Sequence, residues 1–266
     1  MTGIARILSA VRATTPLVHC MTNTVVPEIT ANVLLAVGAA PAMIDLPEEA
    51  EIFAGLASAL LINVGNGSAE QHAGMRLAAP AAAAAGKPWV LDPVAVGGLP
   101  VRTQLARDLL AHRPAAIRAN ASEILGLAGT SAGGRGVDAT DEVEAAVGTA
   151  RELNATTGAV VAISGPVDVI VSAGRITRVT GGDALMPLVI GTGCALGATV
   201  AACLAVAESE ADRHDAVVAA HAIFGAAGIA AARGASAPGT FRTLWLDALH
   251  TLTPADVEGL VTVEED

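Results

Sequence analysis

Short apolar runs alternate with helical patterns from residue 16 to residue 165, and this alternation restricts the fold more than any other feature of the chain. The runs occupy 17–20, 40–44, 60–64, 89–91, 116–118 and 160–164, each of strand length, and most end at Asn, Asp or Gly. They are apolar throughout rather than at every second position, so both faces of each strand are expected to be buried. Helical segments fall between them near 27–37, 47–58, 68–85, 101–112, 121–128 and 140–155. Pro27 and Pro47 suit the first turn of a helix, and Thr140 or Asp141 suits the cap of the helix before Val143. The pattern predicts an α/β protein with a mostly parallel central sheet and helices on both faces.

The pattern changes after residue 165. Runs at 168–172 and 176–180 flank Ala173-Gly174-Arg175 and read as a hairpin. Three helices are expected near 194–208, 213–233 and 239–250, loops at 129–139 and 180–190, and a solvated acidic tail, Glu264-Glu265-Asp266. No linker or repeat divides the 266 residues, which are expected to form a single domain over 1–266.

Composition limits the partners. The net charge is −11, there is no basic run, and aromatic residues are only 2% of the chain, which argues against nucleic acid and anionic membranes. A phosphate ligand must then be held by backbone N–H groups, one or two arginines and a metal ion. Three cysteines, Cys20, Cys194 and Cys203, fit a reducing cytoplasm, and no signal-peptide core is present. Residues 184–207 carry no charge and are long enough to span a bilayer, but Pro187, Gly191, Gly193 and Gly197 interrupt them. They and the similar stretch 216–232 read as helices buried inside a soluble protein.

Gly191-Thr192-Gly193-Cys194 opens the long apolar run 195–207. A glycine-rich turn feeding a helix presents N–H groups at the positive end of the helix dipole, which suits a phosphate. The same residues also fit a plain tight turn before a buried helix. A dinucleotide fingerprint fails at Leu196, where the third glycine belongs, and a phosphate-binding P-loop fails because the only lysine, Lys87, precedes Pro88. At the helix start a cysteine thiolate is favoured, so Cys194 reads as a nucleophile, a base or a buried apolar residue.

Parallel sheets bind ligands at the carboxyl ends of their strands. Asn23, Asn63 and Gly65, Asp92, Asn120 and Glu123, and Ser164 and Gly165 all follow strand runs, so they should gather on one rim beside Gly191. Asn120 and Ser122 also read as helix caps, and Glu123 as a dipole partner. The alternative places Glu123 and Asp92 near hydrated Mg²⁺ and Arg118 on nucleotide phosphate. Met43 reads as core or as the wall of a small apolar pocket. The six histidines show no metal-ligand spacing, and no zinc site is expected.

Together these residues resemble the hydroxyethylthiazole kinase family of the ribokinase-like superfamily. The resemblance runs over nearly the whole chain, through Met21-Thr22-Asn23, residues 31–43, Leu61-Ile62-Asn63-Val64-Gly65, Gly86-Lys87-Pro88, Leu91-Asp92-Pro93-Val94, residues 117–124 and Gly191-Thr192-Gly193-Cys194. The Asn-x-x-Glu element at Asn120–Glu123 is shared by the superfamily; cysteine at the place of the usual catalytic aspartate marks the thiazole kinases. The resemblance implies ATP- and Mg²⁺-dependent phosphorylation of a methylthiazole alcohol in thiamine salvage, by a cytoplasmic homotrimer with active sites at subunit contacts. It implies that Met43 and Gly191 contact the thiazole, with Asn23, Asn63 and Gly65 on the substrate side. Arg118, Ser164 and Asn120 would serve ATP, Glu123 and Asp92 the magnesium region, and Thr192, Gly193 and Cys194 the transferring group, Cys194 in the base position. Two positions depart from the family pattern, Ala119 for glycine and Ile190 for threonine. The rival readings are a hydroxymethylpyrimidine-type kinase of the same superfamily, a non-catalytic nucleotide- or thiazole-binding trimer, and a dinucleotide-dependent oxidoreductase.

Overall fold

A computed structural model of the chain describes residues 2–129 and 139–266; the glycine-rich stretch of the 129–139 loop and the side chains of Thr140 and Asp141 lie outside the described residues. The strands are β1 (Leu17–Met21), β2 (Ala40–Ala42), β3 (Ala59–Asn63), β4 (Trp89–Asp92), β5 (Ala116–Asn120), β6 (Val160–Ser164), β7 (Val167–Ser172), β8 (Arg175–Thr180) and β9 (Thr262–Glu265). They form one sheet in the order β2-β1-β3-β4-β5-β6-β7-β8-β9. Pairing is parallel from β2 through β6 and antiparallel from β6 through β9. The predicted mostly parallel sheet is therefore observed, as is the hairpin, which turns at Ala173-Gly174 with Gly174 at φ +76°.

The helices are α1 (Gly3–Thr14), α2 (Pro27–Val37), α3 (Pro47–Leu56), α4 (Ala69–Ala84), α5 (Pro100–Leu109), α6 (Ala121–Ala128), α7 (Ala139–Thr157), α8 (Thr192–Leu204), α9 (Arg213–Ala232), α10 (Pro238–Thr251) and α11 (Pro254–Leu260). Alternate residues of the buried strands feed two separate cores. Leu61, Val90 and Ala116 pack under α1, α2, α8, α9 and α10, whereas Leu60, Leu91 and Ile117 pack under α3 to α7. Alanine explains how α8 and α9 fit against the sheet: Ala195, Ala198, Ala201, Ala202, Ala219 and Ala220 are all fully buried with no bulk to displace a neighbour. The larger volume on this side comes from α10, whose buried Trp245 meets Phe224 edge to face at 5.2 Å.

Neither candidate membrane stretch forms a lipid-facing span. Residues 184–207 are divided between a loop and the 13-residue α8. Helix α9 is long and apolar enough to cross a bilayer by length and composition, but most of it is buried against the rest of the protein.

The acidic tail is exposed as expected, and part of it also forms a strand. Residues 262–265 form β9 on the free edge of β8, which shields that edge. Ion pairs accompany the ladder: Arg175 binds Glu265 at 2.7 Å and Asp215 at 2.9 Å, and Arg178 binds Asp266 and Glu144. Helices α1 and α11 lie outside the pattern that marks the other elements.

Behind this edge, buried His214 sits between two hydroxyls, Ser172 Oγ at 2.7 Å from Nδ1 and Thr177 Oγ1 at 2.8 Å from Nε2. Burial, with nearby Arg175, pulls its pKa down to about 4, against the opposing pull of Asp215 and Glu265. The folded state thus binds a proton less readily than the unfolded chain, so this contribution to stability is complete above the unfolded value near 6.5 and is lost as pH falls toward 4. His214 should account for a loss of about 3 kcal/mol across that window. Urea unfolding at neutral and mildly acidic pH measures it: His214→Gln should lose clearly less stability on acidification than the parent, and equal losses would refute the assignment.

Candidate active site

The polar strand ends meet on one rim of the sheet. Asn63 and Asp92 stand opposite each other at the tips of β3 and β4. Both are fully buried, and Asn63 Nδ2 donates to Asp92 Oδ2 at 2.7 Å. Asn63 Oδ1 accepts from Asn23 Nδ2 at 3.1 Å and from the Gly65 amide at 3.0 Å. Asn23 Nδ2 also lies 3.4 Å from Cys194 Sγ. A continuous chain of hydrogen bonds thus links Cys194, Asn23, Asn63 and Asp92. Gly65 is glycine for want of room: a Cβ there would lie 2.8 Å from both Asn23 Cβ and Asn63 Oδ1. In this arrangement Asn23 and Asn63 are buried supports of the cysteine and the aspartate.

Arg118 extends from β5 into the same space. Its Nε donates to Ser164 Oγ at 3.1 Å, and its Nη1 lies 4.0 Å from Asp92 Oδ1. Ala119 leaves this geometry intact, since β5 and β6 stay in register with Ala119 beside Ile163. Asp92 Oδ1 is buried with no hydrogen-bond partner among the described residues. Burial pushes the Asp92 carboxyl up to about 7; Arg118 and Asn63 oppose the shift and Glu123 adds to it.

Helix α8 begins beside this group. Its N-cap, Gly191, has φ +90°, and a Cβ there would lie 2.5 Å from Ile29 Cγ2. Thr192, Gly193 and Cys194 are the first three helical residues, and the amides of Gly193 and Cys194 have no protein acceptor among the described residues. Thr192 turns its hydroxyl back onto the Met186 and Val189 carbonyls, at 3.2 and 3.3 Å. A Cβ on Gly193 would lie 3.0 Å from Arg118 Nη1, so the bare turn faces the guanidinium. One turn on, Gly197 lets the helix lie over the β4 tip: a Cβ there would be 3.4 Å from Asp92 Oδ2. Ile190 is exposed and brings no hydroxyl to the turn.

One expectation is overturned here. The helix start does not make Cys194 a ready thiolate. Its pKa is pushed up to about 11, first by burial and then by Asp92, and hydrogen bonding by Asn63 and Asn23 together with Arg118 only partly offsets this. Cys194 also stands third in the helix rather than first, and it has Asp92 for a neighbour, so the local field favours the thiol.

The Asn120–Glu123 element is a capping box. Asn120 Oδ1 accepts from the Glu123 amide at 2.9 Å, and Glu123 Oε2 accepts from the Asn120 amide at 3.0 Å. Glu123 Oε1 accepts from the Ala95 amide at 2.9 Å, fastening the loop after Asp92 to the tip of β5. Ser122 completes the cap through Asn120 Oδ1 at 2.8 Å. Capping does not exhaust Glu123, because its charge also reaches Asp92.

A cavity of about 780 Å³ opens against these residues, within the range of ligand sites. Arg118, Asn120, Ser164, Thr192 and Gly193 line it, whereas Asn23, Asn63, Gly65, Asp92, Glu123, Gly191 and Cys194 lie behind its lining; Met43 does not line it either, and lies partly exposed just beyond the edge strand β2. The opposite wall comes from Gly182 and Met186 in the loop after β8 and from Phe224 and Gly225 on α9, none of which the sequence reading singles out. The Gly181-Gly182 pair was the available signal, and by itself it reads only as a turn.

Known proteins resemble this chain over nearly its full length. The sequence model of the "Hydroxyethylthiazole kinase family" matches residues 8–255. A hydroxyethylthiazole kinase of Corynebacterium glutamicum (strain R) is 56% identical over 259 residues, 97% of each chain. One of Serratia proteamaculans (strain 568) is 51% identical over 254 residues, 96% of this chain and 95% of the relative. The solved hydroxyethylthiazole kinase protein of Pyrococcus horikoshii OT3 covers 100% of both chains at a TM-score of 0.91 and 33% identity. A Staphylococcus aureus pyridoxal kinase, at 15% identity and a TM-score of 0.65 over 95% of this chain and 99% of its own, shares the fold alone. With strand tips, helix start and cavity arranged in this way, and with likeness over nearly its full length, the chain belongs to the hydroxyethylthiazole kinase family.

Proposed function

We propose that this kinase transfers the γ-phosphoryl group of ATP to the hydroxyethyl group of 4-methyl-5-(2-hydroxyethyl)thiazole, with Mg²⁺, in thiamine salvage. The observation that carries the reading is the pair of α8 amides that have no protein acceptor among the described residues, beside an arginine that lines a ligand-sized cavity together with Gly193. A bound alcohol attacks the phosphorus in line. The new O–P bond forms as the bond to the ADP oxygen breaks, ADP leaves with that electron pair, and the alcohol proton passes to a transferred phosphoryl oxygen. The amides of Gly193 and Cys194 and the Arg118 guanidinium hold the equatorial charge.

The donor set fits Mg²⁺. The cation takes few carboxylates and completes its shell with water and phosphate oxygens. Asp92 Oδ1 is buried without a hydrogen bond among the described residues, and Glu123 is the second carboxylate. Among the described residues no cluster of three or more His, Cys, Asp or Glu side chains exists to cage an ion without phosphate. When bound, the cation neutralises phosphate charge.

Cys194, held as a thiol, positions the alcohol rather than deprotonating it beforehand. A loose phosphoryl-transfer transition state draws most of its rate from positioning and electrostatics, so a strong base is not required. Cys194→Ser should therefore keep measurable turnover, and Cys194→Asp should keep or raise it. Complete inactivity of a folded Cys194→Asp variant would argue for a thiol nucleophile.

The family resemblance carries the reading of a cytoplasmic homotrimer with sites at subunit contacts; the apolar Leu46, Ile52 and Leu56, exposed on and before α3 and close in sequence to partly exposed Met43, support a contact surface there. The whole chain, 1–266, would act as one ribokinase-like domain. A coupled ADP-release assay with thiazole and pyrimidine alcohols tests the reading. ADP should form with the thiazole alcohol and far more slowly with the pyrimidine. Stabilisation by thiazole without ADP release would favour a silent binder.

A further inference from the structure

We propose that buried His221 and the cavity-lining Asp168 form a positioning pair that sets nucleotide affinity. The inference rests on the kinase reading above. His221 is 1% exposed near the middle of α9. Its Nδ1 lies 2.6 Å from Asp168 Oδ2. A carboxylate has no proton to give, so Nδ1 donates and Nε2 is left without a hydrogen-bond partner among the described residues. The other oxygen, Asp168 Oδ1, accepts from the Gly165 amide at 2.9 Å.

Gly165 follows Ser164, the partner of Arg118, and both line the cavity. The turn is closely confined, since a Cβ on Gly165 would lie 2.5 Å from Val143 Cγ2. The histidine thus anchors the carboxylate, and the carboxylate anchors the turn that carries Ser164. Asp168 lines the cavity as well; His221 does not, and acts through Asp168 and the turn.

The same stripe of α9 also sets the facing wall. Residues 221, 225 and 228 recur at helical spacing and share one face. The Gly225 carbonyl accepts from the Gly182 amide at 3.0 Å, and a Cβ on Gly228 would lie 2.5 Å from Met186 Sδ. One helix face therefore fixes both the 164–168 turn and the 182–186 loop, and with them the width of the cavity. Neither contact touches the Asn23–Asn63–Cys194 side of the site. The pair should govern nucleotide binding and leave thiazole binding unaffected.

Calorimetric titration of the full-length protein with the non-hydrolysable analogue AMP-PNP plus Mg²⁺, and separately with the thiazole alcohol, tests this. His221→Leu removes the donor and keeps the bulk. His221→Asn keeps an N–H close to the Nδ1 position. The nucleotide Kd should rise about tenfold in His221→Leu, as expected for loss of a charge-assisted hydrogen bond. It should return to within about threefold of the parent in His221→Asn, with the thiazole Kd unchanged throughout. Should His221→Leu fail to fold, Asp168→Ala is read in its place, with the same expected rise. An unchanged nucleotide Kd in a folded variant, or equal weakening of both ligands, overturns the proposal. A parent protein that binds no nucleotide overturns it too, and in that case the kinase reading fails with it.

Discussion

Arg118→Ala should lower kcat by about a thousandfold, the scale on which an arginine or a preorganised donor acts on a transferring phosphoryl group. The guanidinium joins three parts of the site: Ser164 through Nε, Asp92 through Nη1, and the bare Gly193 turn beside Nη1 and Nη2. Without it the carboxyl of Asp92, already lifted to about 7 by burial, loses the cation that opposes that rise. Arg118→Lys should recover only part of the loss, since a single ammonium cannot hold Ser164 and face the turn at once. The fold should survive because Asp92, raised to about 7, can take up a proton when the cation is gone, and the thiazole KM should stay within about threefold because neither Asn23 nor Asn63 hydrogen-bonds to Arg118. Steady-state kinetics beside a melting curve would show this. A folded Arg118→Ala enzyme with near-parental kcat would remove the electrostatic core of the mechanism.

Gly191→Ala should damage both stability and turnover. A left-handed backbone costs a non-glycine residue roughly 1–2 kcal/mol, and forcing a methyl into packed neighbours costs about 1–3 kcal/mol more. Gly191 incurs both, with φ +90° and Ile29 Cγ2 2.5 Å from the added Cβ. Relief requires moving the helix start, and a shift of about 1 Å there should cut kcat roughly a hundredfold. Gly193→Ala separates the two effects. Its φ is not in the left-handed region, and its Cβ would meet only the end of the flexible Arg118 chain. That variant should melt like the parent while turning over about tenfold more slowly. Urea unfolding and turnover measured on both variants decide the matter. A Gly191→Ala enzyme that matches the parent in both would mean the turn is not built as described.

The sheet was legible because its strands are buried on both faces. Continuous runs such as 60–64 and 160–164 have no other stable use in a chain of this kind. The rim of polar residues followed from the same reasoning, since parallel strands carry their last residues to one edge. Strand β9 was hidden because an exposed acidic tail gives no strand signal until β8 lies beside it, with Arg178 opposite Glu264 and Arg175 paired to Glu265. The thiol state of Cys194 was hidden for a similar reason. A helix start favours a thiolate, but burial and Asp92 come from segments about a hundred residues away or more and reverse the balance. His221 gave no signal in an apolar helix, because its partner Asp168 is 53 positions distant. The far wall of the cavity rests on Gly181-Gly182, whose role appears only once α9 packs against them.

The central claim is that the first amides of α8 receive the phosphoryl group in transfer. A crystal structure with ADP, Mg²⁺, aluminium fluoride and the thiazole alcohol tests it most directly. The metal fluoride should sit within about 3 Å of the Gly193 and Cys194 amides, with the Arg118 guanidinium against it and the alcohol oxygen in line. A metal fluoride bound elsewhere in the cavity, with those two amides facing no part of it, would contradict the account.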